Sequence, residues 1–217
     1  LVLVYPDKTN VLGAFISVLP EKITGAANGA NTSAVFAGTN PNNGKRYVYL
    51  ETLGGGMGAR FTKDGKDGVQ VHLTNTSNLP VEAIEMEYPL RVEEYSFVEN
   101  SGGAGKYRGG LGIRRIIRPI AHKCEFSGVG ERFKHSPWGV FGGQPGKPGK
   151  FYLKHKNGKI TNLSSKSSSI YTNENDAIVM ETPGAGGYGN PKKRTKNNIL
   201  KDKISEKFSN SFLKKYY

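Results

Sequence analysis

A chain of 217 residues is long enough to bury a core, and its 36% hydrophobic content with 29 glycines points away from a helical bundle and toward many tight turns. The glycines cluster without a fixed period, which excludes collagen and argues against a solenoid. The net charge of +13 is concentrated: Lys192 to Tyr217 holds nine basic residues against Asp202 and Glu206. The body lacks the aromatic–basic motifs of single-strand binders, so no nucleic-acid partner is expected. Leu1 to Tyr5 is too short an apolar run for a signal peptide or membrane span. Cys124 has no second cysteine to pair with, which fits a reducing compartment. The expectation is a cytoplasmic protein with no membrane partner.

In chain order, Thr9 to Leu19 reads as a short helix: Val11, Leu12, Phe15, Ile16 and Leu19 recur at helical spacing, Thr9 is an N-cap and Pro20 a stop. Gly25 to Gly44 is rich in Gly, Ala, Asn, Thr and Pro and reads as loop. Strands are predicted at Arg46–Leu53, Val69–Leu73, Glu94–Val98, Ile113–Ile117 and Lys123–Val129, where β-branched and aromatic residues lie between breaks. Phe151–His155 and Lys159–Leu163 flank Asn157-Gly158, the signature of a two-residue hairpin turn with both central residues at positive φ. Asp176–Glu181 is a last strand, ended by Pro183.

Asn198–Tyr216 returns to helical periodicity, with Ile199, Leu200, Ile204, Phe208, Phe212 and Leu213 on one face and lysines opposite. The fold class expected is mainly β, a β-rich α+β chain. It would consist of twisted, glycine-punctuated sheets, sandwich- or barrel-like, with a short helix near each end. Residues 1–191 form the body, and 192–217 a basic amphipathic helix packed on the body or on a partner.

Gly54-Gly55-Gly56-Met57-Gly58-Ala59-Arg60 superficially fits a dinucleotide fingerprint. The following Phe61 to Gly68 is turn-rich and cannot begin the helix whose N-terminus would meet a pyrophosphate. No GxxxxGK[ST] loop occurs. His72, His122, His135 and His155 show no HxxxH or HxH spacing, so no local metal motif is present.

The segment around His72 concentrates polar chemistry. His72, Thr74 and Asn75 precede Glu82 and Glu85, and amide hydrolysis needs a base for water and donors for an oxyanion. His72, Glu82 and Glu85 suit the first role, Thr74 and Asn75 the second; a strand-loop with ordinary polar caps accounts for the same residues. Cys124 has His122 on its strand face, but a buried structural cysteine explains that position as well.

Several of these segments resemble the hydantoinase B/oxoprolinase family. The resemblance rests on Gly54 to Arg60 with Asp64-Gly65, Thr74 to Glu85, and Ser101 to Gly112. It continues through Glu131-Arg132-Phe133, Pro137 to Gly143 and Thr182 to Gly189, in that order, and spans about Thr9 to Tyr217. Full family members are much longer, so the chain resembles a C-terminal part.

The resemblance implies a subunit of an ATP-dependent hydrolase that opens five-membered cyclic amides of the hydantoin or 5-oxoproline type. Its partner would be a hydantoinase A-type subunit that binds ATP, in a hetero- and homo-oligomer. A divalent metal is implied too, with ligands in the N-terminal part this chain lacks; no metal ligand, and no cofactor held alone, is expected here. This chain would then be inactive by itself. His72, Glu82 and Glu85 become the implied catalytic residues, with Thr74 and Asn75 on the substrate. Arg60 and Arg108 are then clamps for a phosphorylated intermediate, or else structural ion pairs. Two other readings stand beside this one: a subunit of a related acetone- or acetophenone-type carboxylase, and a non-catalytic docking module.

Overall fold

The computed structural model describes residues 13–71 and 76–217. Among the described residues, nine strands form two antiparallel sheets. The first has the order β2-β1-β5-β8, from β1 (Thr32–Thr39), β2 (Arg46–Leu53), β5 (Cys124–Val129) and β8 (Lys166–Thr172). The second has the order β3-β4-β9-β6-β7, from β3 (Leu90–Phe97), β4 (Ile113–Pro119), β6 (Lys150–Lys154), β7 (Ile160–Leu163) and β9 (Ala177–Glu181). Helix α1 (Val81–Glu87) leads into β3, while α2 (Lys196–Ile204) and α3 (Asn210–Tyr216) close the chain.

The sheets share one core. Ala34, Phe36, Tyr49, Leu53 and Phe126 of the first meet Leu90, Ile117, Phe151, Ile178 and Met180 of the second, with Ile84 of α1 closing one side. Burying each large apolar side chain contributes about 1.5–3 kcal/mol, so this interface holds the two layers. Both sheets keep two edge strands, so the arrangement is an open sandwich and not a barrel.

Alternation sets the registers. On β2, Tyr49, Glu51 and Leu53 point inward and Val48 and Leu50 outward, and on β4 Ile113, Arg115 and Ile117 point inward.

Several expectations need correction. The stretch read as loop from Gly25 to Gly44 contains β1, where Val35 and Phe36 stand among small residues and the ladders to β2 and β5 hold the strand. Strand β8 has no signal in the sequence, because Lys166 to Ser169 is polar; its ladder with β5 holds it in the sheet. Within the predicted strand Val69–Leu73, Val69 makes only an isolated bridge to Gly55, and residues 72–73 lie outside the described residues. Helix α1 occupies part of the stretch expected to be a strand-loop.

The β6–β7 turn has Gly158 alone at positive φ, +81°. Gly158 N–H donates to His155 O at 2.9 Å and His155 N–H to Lys159 O at 2.8 Å. This is a three-residue loop with a glycine bulge, not the expected two-residue turn. At the other end, Thr9–Leu12 lie outside the described residues, and Gly13 onward shows helical turns, with Leu19 N–H donating to Phe15 O.

The glycine clusters converge. Segments from Gly54–Gly58, Gly102–Gly110 and Pro183–Gly187 run side by side, tied by Gly56 N–H to Pro183 O, Gly110 N–H to Met57 O, Ala185 N–H to Gly110 O and Gly103 N–H to Ala185 O. A Cβ on Gly56 would collide with Gly110 O, and one on Gly109 with Ala185 O. Glycine is required because backbone meets backbone with no room for a side chain.

The tail packs on this layer as two helices, not one. Phe208 and Leu213 join Leu111, with Ile199, Phe212 and Tyr217 against them. Leu200 and Ile204 face solvent at 53% and 73% exposure, while Asp202 is buried. The expected single apolar face is therefore not what α2 buries: a turn at Ser205–Ser209, with Glu206 at positive φ, rotates α3 relative to it.

Candidate functional site

Two inward strand positions carry charge where the pattern calls for apolar residues. Glu51 on β2 and Arg115 on β4 reach toward each other through the sandwich, Arg115 Nε lying 3.3 Å from Glu51 Oε1. Both are buried, Arg115 completely. Tyr49 O–H donates to Glu51 Oε2 at 2.7 Å, and the Tyr95 ring lies 4.5 Å from the guanidinium carbon. Burial raises the Glu51 carboxyl above its ordinary pKa, against the opposing influence of Arg115, Tyr49 and Asn78.

Glu51 and Tyr49 line a cavity of ≈ 380 Å³ together with Leu50, Thr52, Thr76, Asn78 and Tyr88 among others. That volume is at the lower end of the range of small-molecule pockets. Two residues of its wall, Glu51 and Asn78, carry a buried polar atom without a well-aligned hydrogen bond. Among the described residues, others lie on Asn28, Thr32, Gln70 and Arg115, apart from the Nε atoms of Arg60 and Arg118. Arg115 is not isolated: its Nε faces Glu51 Oε1 at 3.3 Å, and it also hydrogen-bonds with Tyr49.

His72, Thr74 and Asn75 lie outside the described residues. The described chain resumes at Thr76, on the wall of this cavity. Glu82 is exposed in the first turn of α1. Glu85 Oε1 accepts the Val92 N–H at 2.9 Å and sits 4.0 Å from Arg91 Nε, so it ties α1 to β3. Neither glutamate lines the cavity.

Arg60 Nη2 reaches Asp64 O at 3.4 Å. Arg108 directs its donors inward, to both Asp67 oxygens at 2.7 and 3.1 Å and to Asp202 Oδ1 at 3.2 Å. This is the ion-pair arrangement that stood beside the clamp reading. Arg194 completes it by binding Asp64 at 2.8 and 2.9 Å and Asp202 at 2.7 Å. The network ties the tail to the glycine layer.

Cys124 is fully buried, and burial raises its thiol pKa; the His122 ring is hydrogen-bonded to Tyr47 O–H at 2.6 Å instead. The thiolate that a nucleophile needs is disfavoured there.

Sequence reasoning misses Glu51, Tyr49 and Arg115, although a signal exists. Both strands are predicted, and each carries a charge on the parity of its apolar residues. A formal charge at an inward strand position is a buried ion in need of explanation.

Among the described residues, no group of three or more His, Cys, Asp or Glu is placed to hold a metal ion. No helix there is long and apolar enough to cross a membrane.

The class is an antiparallel sandwich with a buried carboxyl on the wall of a cavity and a separate layer of packed glycine backbone. The chain belongs to the hydantoinase B/oxoprolinase family, whose profile it matches over residues 9–191. It is 43% identical over 199 residues to an uncharacterized protein of Methanocaldococcus jannaschii, covering 92% of this chain and 34% of that one. It is 33% identical over 193 residues to the B-type subunit assigned to a D-/L-hydantoinase of a Pseudomonas strain, covering 88% and 32%. The chain therefore spans about a third of the length of these relatives. Its fold matches that of the ATP-dependent caprolactamase from Pseudomonas jessenii with a TM-score of 0.79, at 23% identity, covering 92% of this chain and 36% of that one.

Proposed function

We propose that the chain is the C-terminal portion of a hydantoinase B-type subunit in an ATP-dependent enzyme that opens cyclic amides, with Glu51 as its acid–base group. The observation that carries this is the Glu51 carboxyl, buried, raised in pKa and held by Tyr49 on the wall of the ≈ 380 Å³ cavity. A carboxyl so placed exchanges protons nearer neutrality than an exposed glutamate does.

Opening a ring amide adds water to the carbonyl carbon and breaks the C–N bond. Glu51 takes the proton from the attacking water and returns it to the departing nitrogen. Tyr49 fixes the carboxyl through Oε2, and Arg115 balances its charge at Oε1. His72, as a second base beside Glu51, and Thr74 and Asn75, as oxyanion donors, are kept as proposed site residues because they directly precede Thr76 in the sequence. ATP, bound by a hydantoinase A-type partner, would make the carbonyl a better electrophile. Among the described residues, no set of side chains fits the divalent metal.

Shortening the acid by one methylene tests the reading while keeping its charge opposite Arg115. In the assembled two-subunit enzyme, Glu51→Asp should lower ATP-dependent ring opening about 100-fold with assembly intact. Unchanged turnover would remove Glu51 from the chemistry. Turnover with bicarbonate and a ketone, but with no lactam, would replace this reading by a carboxylase.

A further inference from the structure

The two sheets have opposite kinds of outer face. On the second, side chains of neighbouring strands join in ion pairs: Arg114 reaches Glu181 at 2.7 Å and Glu94 at 3.6 Å, Lys150 reaches Glu181 at 3.2 Å, and Arg118 reaches Glu93 at 2.7 Å. On the first, the outward rows are apolar. Val35 of β1 stands opposite Leu50 of β2, Ala37 stands opposite Val48, and Val129 continues the face on β5. Val48 and Leu50 are 65% and 63% exposed, and none of Val35, Val48, Leu50 and Val129 belongs to the apolar clusters of the interior. Among the described residues, no ion pair includes a residue of β1, β5 or β8, and on β2 only the inward Glu51 takes part.

The same contrast is present in the local sequence. A strand with one solvated face alternates apolar and polar residues, whereas a strand covered on both faces runs apolar throughout. Ala34-Val35-Phe36-Ala37 and Tyr47-Val48-Tyr49-Leu50 are of the second kind. The first sheet thus has the composition of an inner layer, with one of its faces open in this chain, and an open apolar face of this kind marks an interaction surface. Length says what covers it. The chain spans 34% and 32% of two relatives and 36% of the caprolactamase chain, so about two-thirds of a family polypeptide lies outside these sheets. The net charge of +13 works against pairing the face with a second copy of itself.

We propose that the outer face of the first sheet, centred on Val35, Val48 and Leu50, is the docking surface for the remaining part of the family's own polypeptide. The surface it fits is apolar across Val48 and Leu50 and carries a basic group for Glu125, the one formal charge on the outward rows of β1 and β5. This rests on the reading of the chain as a portion of a longer subunit, and not on the role of Glu51.

The reactivity of an introduced thiol tests it. In the 217-residue chain, Val48→Cys should react with a maleimide as readily as Lys154→Cys on the outer face of the second sheet, while the fully buried Cys124 stays silent. In the intact Methanocaldococcus jannaschii relative, a cysteine at the position aligned with Val48 should react at least about tenfold more slowly than in this chain, because an interface core excludes the reagent. One aligned with Lys154 should react at an unchanged rate. Leu50→Cys repeats the measurement at a second exposed position, so that a cysteine that unfolds the longer protein at one place is replaced by the other. Equal rates in the two proteins at the Val48 and Leu50 positions, or equal slowing there and at Lys154, overturns the proposal. Slowing of Val48→Cys in the 217-residue chain as its concentration rises gives the face to a second copy and overturns it as well. No turnover is measured, so an inert Glu51→Asp leaves the docking face standing, and free reaction at Val48 leaves the role of Glu51 standing.

Discussion

Glycine and buried charge are the two residue types that decide this structure, each for a different reason. Gly56 is fixed by contact: its Cα faces the carbonyl of Gly110 and the backbone of Gly184 and Ala185. Those neighbours are main chain and cannot turn aside, so Gly56→Ala should lower the unfolding free energy by roughly 3 kcal/mol. Gly44 has φ +69° and open space around it, so Gly44→Ala should cost only about 1 kcal/mol, from backbone strain alone. Urea unfolding of both variants checks the order; equal losses would mean that the glycine layer relaxes to admit a methyl group. The same scale shows what the sequence hid. The sequence reading passed over Glu51 and Arg115 although both lie on inward strand parity, and that they meet each other depends on two strands from different sheets, separated by more than sixty positions in the chain.

Elements with strong local patterns were legible. The predicted Arg46–Leu53 coincides with β2, and the predicted Ile113–Ile117 lies within β4, because bulky alternating residues specify a strand by themselves. Strands β1 and β8, built largely from small or hydroxylated residues, are strands because their neighbours make them so. Helix α1, seven residues long behind Pro80, is too short to announce itself.

In the tail, Asp202 of α2 sits between Arg108 and Arg194. Asp202→Ala leaves two buried guanidiniums short of an acceptor and should lower stability by about 3 kcal/mol, read from chemical denaturation; a change under about 0.5 kcal/mol, the range of an ordinary surface site, would show that the network is not cooperative. Burial works to raise the carboxyls of Asp64 and Asp67. Hydrogen bonds from Arg194 and the Arg108 N–H at Asp64, and from Arg108 and Lys207 at Asp67, outweigh it and hold both below the usual value of 3.8. A depressed folded-state pKa means the contribution is fully present above 3.8 and lost as pH falls through the lowered value. The denaturation midpoint should therefore drop on acidification below about pH 4, and less steeply in Asp67→Asn.

At the scale of the whole molecule, the tail is part of the body and not an appendage. It contributes Phe208 and Leu213 to the cluster on Leu111, and Arg194 and Asp202 to the buried ion network. Deleting residues 192–217 should thus lower the thermal midpoint sharply or leave the chain insoluble, measured by calorimetry and by recovery of monomer. A deletion that unfolds as the intact chain does would return the tail to the role of a separable docking helix. Docking through α2 is better probed at its exposed residues. Leu200→Ser with Ile204→Ser should change stability by under about 0.5 kcal/mol, leaving any loss of complex formation to be read as a lost contact.

By itself the sequence determined the β-rich class, the two stronger sheet strands at the centre of the site, the glycine segments and the family they mark, because periodicity and motif order are local properties. The pairing of Glu51 with Arg115, the convergence of the glycine segments into one packed layer and the inward turn of Arg108 and Asp202 were decided only by the tertiary structure. Each depends on which distant segments share a low-dielectric interior, and a buried charge or a missing side chain has meaning only once its neighbours are in place.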